Sequence, residues 1–232
     1  MIHTAVIFLL PLLQVSFNGK FNMTSPNIQF IKYLFVCSLL LANILACKII
    51  TIGGLVLPAA IILYPLTFLF TDVVAEIEGK KSAGDLVMVG FYMSLFMVLV
   101  ILAGKILPPA GFWKHQEAYT IILGSTPRIV MASMIAYIIS QRHDVWAFHW
   151  WKKKTGGRHL WLRNNLSTIV SQLIDSVLFI TIAFWGVFPP AAIGMMILSQ
   201  YFVKIGIALL DTPICYILVR FYGSNREQVQ RA

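Results

Sequence analysis

Three observations predict an all-α membrane protein with six transmembrane helices. First, 59% of the 232 residues are hydrophobic and 12% are charged, with a mean hydropathy of +0.81, whereas about a quarter of the residues of a soluble domain are charged. Second, six apolar segments approach or exceed the roughly 20 residues that a helix needs to cross a bilayer. Third, the connections between these segments alternate in charge, as they do in polytopic membrane proteins.

The predicted spans, in chain order, are residues 31–50, 57–76, 86–105, 127–148, 166–186 and 191–220. The connections after the second and fourth spans are rich in Lys and Arg. Those after the first, third and fifth are short or marked by Gly and Pro. Ahead of the fourth span, Thr126 followed by Pro127 predicts a helix start with Thr126 as its cap. Residues 118–123 then form a separate short outer segment.

The distribution of Lys and Arg predicts the orientation of the chain. With six spans, thirteen of these residues fall on one side of the membrane, and Lys48, Lys105 and Lys114 fall on the other. Because cytoplasmic loops carry the excess of positive charge, both termini are predicted to be cytoplasmic. Residues 23–222 form the transmembrane domain, residues 223–232 a cytoplasmic tail, and residues 1–22 an apolar N-terminal extension that we expect to be dispensable.

Charged residues inside these spans need an explanation, since each costs roughly 2.5–3.5 kcal/mol at the centre of a membrane helix. Asp72 and Glu76 lie one turn apart in the second span, Asp175 lies in the fifth, and Lys204 and Asp211 lie in the sixth. Their helical spacing places each group on one face, which predicts an interior cavity lined by three polar faces. Gln200 shares the face of Lys204, and Thr168 and Gln172 share the face of Asp175.

Two readings of these charges stay open. In the first, they bind helices to one another, with Lys204 neutralising one carboxylate. In the second, four acids against Lys204 and Arg128 form an acidic cavity for a basic ligand, an arrangement that also permits proton coupling.

The pattern S-Q-x-x-D occurs twice, at Ser140–Asp144 and at Ser171–Asp175. The i, i+3 spacing brings each Gln amide and Asp carboxylate onto one face of a helix. The amide can donate to a carbonyl while the carboxylate accepts two N–H groups, which matches the edge of a guanine-like base. The alternative is two unrelated polar turns.

Four stretches together resemble the queuosine-precursor transporter family, also called the vitamin uptake transporter family. They are PLTFLFTDVVAEIEGKKSA (65–83), TPRIVMASMIAYIISQRHDVWAF (126–148), LWLRNNLSTIVSQLIDSVLFITIAFWG (160–186) and KIGIALLDTPICY (204–216). The resemblance implies a six-helix inner-membrane importer of 7-deazaguanine bases. It also implies a likeness to the substrate-binding subunits of energy-coupling-factor transporters, so a vitamin-binding subunit that needs an ATPase partner is the alternative. Glu78 departs from the family, which typically has Tyr before this Gly.

Other function classes find little support in the sequence. All five His residues lie outside the predicted spans or at their ends, and G-x-S-x-G and H-E-x-x-H motifs are absent, which argues against an intramembrane enzyme. Three separated Cys residues predict neither a metal site nor a disulfide framework. The basic loops suit a membrane flank better than nucleic acid. We therefore expect a small-molecule base and membrane lipid as partners, with no cofactor; the sequence does not indicate an oligomeric state.

The sequence thus predicts a set of substrate-binding residues. They are Asp72, Glu76, Arg128, Gln141, Asp144, Trp161, Gln172, Asp175, Gln200, Lys204 and Asp211. For Trp161 the alternative is a place in the aromatic belt at the membrane surface.

Overall fold

The computed structural model describes residues 28–154 and 160–207, without the side chains of residues 148, 149, 152 and 160–167. These residues are mostly helical. The helices are α1 (Ile28–Leu45), a 3-10 helix (Ala59–Ile62), α2 (Tyr64–Glu78), α3 (Lys80–Ile106), α4 (Gln116–Gly124), α5 (Thr126–Lys154), α6 (Leu160–Phe184) and α7 (Pro190–Ile207). Two strands, β1 (Ile49–Ile52) and β2 (Leu55–Pro58), separate α1 from the 3-10 helix.

Four helical stretches are long and apolar enough to cross a membrane: Ile28–Leu45, Lys80–Ile106, Gln116–Ala147 and Pro190–Ile207. Large apolar side chains such as Leu99 on α3 lie exposed on their outer faces, where lipid rather than water would cover them. The protein is therefore a polytopic membrane protein. The tail at 223–232, the extension at 1–22 and the end of the sixth predicted span lie outside the described residues.

A β-hairpin replaces the predicted end of the first span and start of the second. β1 and β2 pair in antiparallel register from Ile49–Pro58 to Ile52–Leu55. The turn is Gly53-Gly54, whose φ angles of 56° and 85° suit glycine and match a two-residue hairpin turn. The backbone N–H of Val56 donates to Ser199 Oγ on α7 (3.1 Å), which fixes the hairpin against the bundle. The prediction of continuous helix over 57–63 is wrong.

The second span is consequently a shorter α-helix of 15 residues that ends at Glu78. Gly79 connects α2 to α3 with φ 93° and ψ 162°, a conformation open essentially to glycine alone. Lys32 Nζ donates to Glu78 Oε2 at 2.6 Å, and Ser82 also donates to this carboxylate. The first turns of α1 and α3 are thereby tied to the end of α2.

The helices pack into two halves with separate apolar cores. One core joins α1, α2 and α3 through buried residues that include Phe35, Val73 and Leu86. The other joins α5, α6 and α7 through residues that include Ile180 and Met196. The hairpin packs against this second core.

The start of α5 differs in one detail from the prediction. The short outer segment exists as α4, but Ser125, not Thr126, accepts the first helical bond, from the backbone N–H of Ile129 (3.1 Å). Ser125 already has helical dihedral angles because α4 leads almost directly into α5. Thr126 is therefore inside the helix, and its buried Oγ1 has no hydrogen-bond partner among the described residues.

Candidate functional site

A cavity of about 490 Å³ lies between the two halves. Its volume is in the range of small-molecule binding sites, roughly 300–1,000 Å³. The first half lines it with Phe35, Leu39, Ala42, Asn43, Ala46, Tyr64, Thr67, Phe68, Thr71, Asp72, Ala75, Lys80, Ala83, Gly84, Val87 and Phe91. The second half contributes Ser133, Tyr137, Gln141, Asp175, Phe179, Gln200 and Lys204, and the segment from the hairpin to α2 adds Pro58, Ala60 and Ile61.

A polar network built on Asp175 forms part of this wall. Lys204 Nζ donates to Asp175 Oδ2, and the side chain of Lys204 is only 3% exposed. Ser140 Oγ lies 3.5 Å from Asp175 Oδ1, at the limit of a hydrogen bond. Removing the carboxylate from a pair with so deeply buried a lysine is destabilising, because it leaves an uncompensated charge.

Tyr64 connects this network to the opposite half. Lys204 Nζ lies 4.5 Å from the centre of the Tyr64 ring, which is a cation–π contact. The Tyr64 hydroxyl donates to Gln172 Oε1 at 3.3 Å. One tyrosine from α2 thus contacts α6 and α7 across the cavity.

Of the predicted binding residues, five line the cavity: Asp72, Gln141, Asp175, Gln200 and Lys204. They come from α2, α5, α6 and α7. The spacing predicted inward-facing polar residues on α2, α6 and α7, and α5 contributes one as well. Gln200 and Lys204 are buried, whereas Asp72 and Gln141 have exposed side chains.

Other predicted residues lie elsewhere. Glu76 is exposed and is not among the lining residues, because the lining face of α2 continues through Ala75 instead. Gln172 is not among the lining residues, but its Oε1 accepts a hydrogen bond from Tyr64, which is. The side chain of Trp161 and all of Asp211 lie outside the described residues.

Arg128 is not among the lining residues; it lies in the first turn of α5, whereas Gln141 lies near the middle of that helix. Its guanidinium donates from Nε to the carbonyl of Ile182 and from an Nη to that of Trp185, both at 2.6 Å. Ile182 is in the last turn of α6, where carbonyls have no partner within the helix, and Trp185 is the first residue after that helix. Arg128 therefore joins the start of α5 to the end of α6.

The two S-Q-x-x-D motifs lie side by side on antiparallel helices. Ser140 of the first is near Asp175 of the second, and His143 Nδ1 lies 3.0 Å from Ser171 Oγ. The motifs do not each present a Gln–Asp pair to the cavity. Gln141 comes from the first and Asp175 from the second, while Asp144 is off the wall with a buried Oδ1 that has no hydrogen-bond partner among the described residues.

The described lining carries two acids and two bases, while Asp211, one of the four acids predicted for the cavity, lies outside the described residues. Asp72 and Asp175 face Lys80 and Lys204. The prediction counted Glu76, which is outside the wall, and omitted Lys80, which follows the turn at Gly79. In the described part of the chain, no group of three or more His, Cys, Asp or Glu residues could hold a metal ion.

Comparison with known proteins agrees with this architecture. Residues 58–218 match a family model described as "Putative vitamin uptake transporter". The matched region is more than half of the chain and includes every charged residue of the cavity wall. The protein belongs to the vitamin uptake transporter family. It is a transporter and not an enzyme.

Two curated relatives of this vitamin uptake transporter carry more specific names. It is 32% identical over 176 residues to the "Probable queuosine precursor transporter" of Bacillus subtilis, covering 75% of this chain and 77% of that one. It is 30% identical over 122 residues to the "Queuosine precursor transporter" of Escherichia coli, covering 53% and 52% of the two chains. No solved structure matches the chain.

The aromatic side chains of this transporter's cavity are not among the residues predicted from the sequence. Among the described residues, six aromatic side chains line it: Phe35, Tyr64, Phe68, Phe91, Tyr137 and Phe179. In a membrane helix an aromatic residue looks like any other apolar residue, so composition alone does not mark it. The available signal was spacing: Tyr64, Phe68 and Asp72 repeat every four residues on one face of α2.

Proposed function

We propose that this transporter imports queuosine precursors, 7-deazaguanine bases, across a bacterial inner membrane and binds the base in the cavity between its two halves. The observation that carries the proposal is the combination of aromatic rings with a carboxylate and an amide on one wall. A planar heterocycle stacks favourably on aromatic rings. Asp175 can accept the N–H groups of a guanine edge, and Gln141 can donate to or accept from another ring atom. The names of the two curated relatives support the same substrate class.

In this proposal the chain crosses the membrane six times, through α1, α2, α3, α5, α6 and α7. α2 has only 15 residues, but the 3-10 helix precedes it directly and extends the segment. The connection from α2 to α3 faces the cytoplasm together with both termini, as the distribution of Lys and Arg indicates. The Lys32–Glu78 ion pair then lies at the cytoplasmic end of the bundle.

Rescue of queuosine in tRNA tests the proposal directly. The host is a bacterium that lacks both precursor synthesis and its own importer; it expresses this chain alone and receives one 7-deazaguanine at a time at low concentration. Queuosine in tRNA is the expected result and would show that no dedicated ATPase partner is needed. No rescue by any precursor, with the protein present in the membrane, would contradict the proposal and favour a vitamin-binding subunit that depends on an ATPase module.

An Asp72→Ala variant tests the site, with Glu76→Ala as the matched control. Both residues are exposed acids one turn apart on α2, but only Asp72 lines the cavity. We expect Asp72→Ala to reduce uptake at least about tenfold at equal membrane abundance, since a charged hydrogen bond contributes about 1.5–3 kcal/mol. Glu76→Ala should retain uptake. Equal uptake by both variants would remove Asp72 from the site.

A further inference from the structure

We propose that Asp175 and Lys204 together recognise the hydrogen-bonding edge of the base, and that Lys204 makes the site prefer a purine analogue with a 6-oxo group to one with a 6-amino group. This inference rests on the proposed function, because it names how the same cavity recognises its substrate. Its evidence is the contact geometry of the pair, which sequence spacing alone did not indicate.

The carboxylate of Asp175 can accept more hydrogen bonds than the described residues donate to it. An ionised carboxylate offers about four lone-pair directions. Among the described contacts Lys204 occupies one on Oδ2, and Ser140 lies at the limit of bonding to Oδ1. About two directions remain, and a guanine edge presents two neighbouring N–H donors, at N1 and at the 2-amino group.

Lys204 supplies the complementary donor at a fixed place. Its ammonium group has three N–H bonds. One points to Asp175, and the cation lies 4.5 Å from the ring centre of Tyr64. A remaining N–H is available to a ligand beside Asp175. Burial of Lys204 and its two contacts hold the group in this position.

The order of these groups matches guanine and not adenine. On a guanine edge the 6-oxo acceptor lies next to the N1–H donor, so its partner must be a donor adjacent to the carboxylate. Lys204 is in hydrogen-bond contact with Asp175 and satisfies this condition. In an adenine-like base the 6-position carries an amino group and N1 is an acceptor, so donor would face donor at Lys204 and acceptor would face acceptor at Asp175.

The pair is also neutral as a unit. It therefore offers a neutral base a donor and an acceptor without leaving an uncompensated charge in the cavity when the site is empty. A lone Asp175 would leave a partly buried charge without a counter-charge, which is costly.

Equilibrium binding to the full chain in lipid nanodiscs tests the inference. The probes are 7-deazaguanine, 7-deazahypoxanthine, which lacks the 2-amino group, and 7-deazaadenine. The wild-type protein should bind them in that order, with 7-deazaguanine at least about tenfold tighter than 7-deazaadenine, because a correct donor–acceptor match discriminates by that much.

Lys204→Gln is the decisive variant. A Gln amide both donates and accepts, so it should reduce the preference for 7-deazaguanine over 7-deazaadenine about tenfold or more. Lys105→Gln, the same exchange at an exposed lysine outside the cavity wall, should leave the preference unchanged. If Lys204→Gln does not yield folded protein, the double variant Asp175→Asn/Lys204→Gln removes both charges and should likewise lose the preference.

The outcomes separate the inference from the proposed function. Tight binding of 7-deazaguanine with an unchanged preference in the Lys204 variants would overturn the inference and leave the function standing. Equal wild-type binding of 7-deazaguanine and 7-deazaadenine would also overturn it. A wild-type protein that binds none of the three probes would overturn both.

Discussion

Replacing Lys204 with Met should destabilise the protein by leaving Asp175 as a partly buried charge without its cation. Met preserves most of the side-chain volume, so the loss comes mainly from the ion pair and from the contact with Tyr64. The side chains of Lys204 and Asp175 are 3% and 18% exposed. Removing one partner of a buried pair costs about 3–5 kcal/mol; the remaining access of Asp175 to the cavity favours the lower end, about 3 kcal/mol.

A double variant separates the charge from the packing. In Asp175→Asn/Lys204→Met no charge of the pair remains, and replacement of a buried pair by uncharged residues is often nearly neutral. We expect its stability to lie within about 1 kcal/mol of the wild type. The coupling between the two single substitutions would then be about 2 kcal/mol or more, within the range seen for residues in contact.

The measurement is thermal unfolding of the detergent-solubilised full chain, followed by size-exclusion chromatography of what remains folded after heating. For a chain of this size each kcal/mol corresponds to roughly 2–4 °C, so Lys204→Met should lower the midpoint by about 6–12 °C. Lys105→Met, at an exposed position, is the matched control. A double variant as unstable as Lys204→Met would refute the reasoning, because it would mean that packing and not charge holds this site together.

Three further predictions concern positions outside the Asp175 network. Arg128→Lys should destabilise the protein by about 1–2 kcal/mol, because an ammonium cannot reproduce the two-carbonyl contact of a guanidinium; thermal unfolding measures it, and ligand affinity should not change. Gly90→Val should lower the free energy of unfolding by about 1–3 kcal/mol through overpacking, since a Cβ at this position would already lie 2.7 Å from Leu39 Cδ2. Gly84→Val is the control: a Cβ there would meet nothing within 4 Å, so this variant should lose less stability in the same thermal unfolding measurement. Lys32→Gln should cost about 1–2 kcal/mol, because the pair is only about one-fifth exposed, but Gln can still donate to Glu78 and Ser82 keeps its own bond to that carboxylate. Thermal unfolding measures it, and an unchanged midpoint would argue against any contribution from the ion pair.

Sequence reasoning located the helices because apolar length is a strong signal in a membrane protein. It failed at 49–58, where an apolar run rich in β-branched residues is equally consistent with strand. The Gly53-Gly54 pair between Ile49–Ile52 and Leu55–Leu57 is a hairpin signal, but it was interpreted as an interhelical turn. The predicted connection at residues 51–56 therefore lies in the right place, but residues 49–50 and 57–58, which belong to the strands, are assigned to helix.

Helical periodicity predicts which face of its helix a residue of the site lies on. It does not predict which residue of another helix that side chain contacts. Spacing placed Asp175 and Lys204 on inward faces, but it could not show that they meet each other. It also could not show that Arg128 satisfies backbone carbonyls, because the end of α6 approaches Arg128 only in the folded bundle. The charge balance of the cavity depends on Lys80, whose side chain reaches the wall because the chain turns sharply at Gly79.

The two readings of the intramembrane charges, helix association and ligand binding, are not exclusive in this structure. The Asp175–Lys204 pair joins α6 to α7 within one half and lies on the cavity wall at the same time. Tyr64 then extends the pair to the other half, since it contacts Lys204 through its ring and Gln172 through its hydroxyl. A base that binds at Asp175 would meet the side chain that spans the cavity. Tyr64→Phe keeps the ring contact with Lys204 and removes the hydrogen bond from the hydroxyl to Gln172. It should therefore weaken the link between the halves while Lys204 stays in place. A change in uptake without a change in substrate affinity would assign Tyr64 to the movement of the halves and not to substrate recognition.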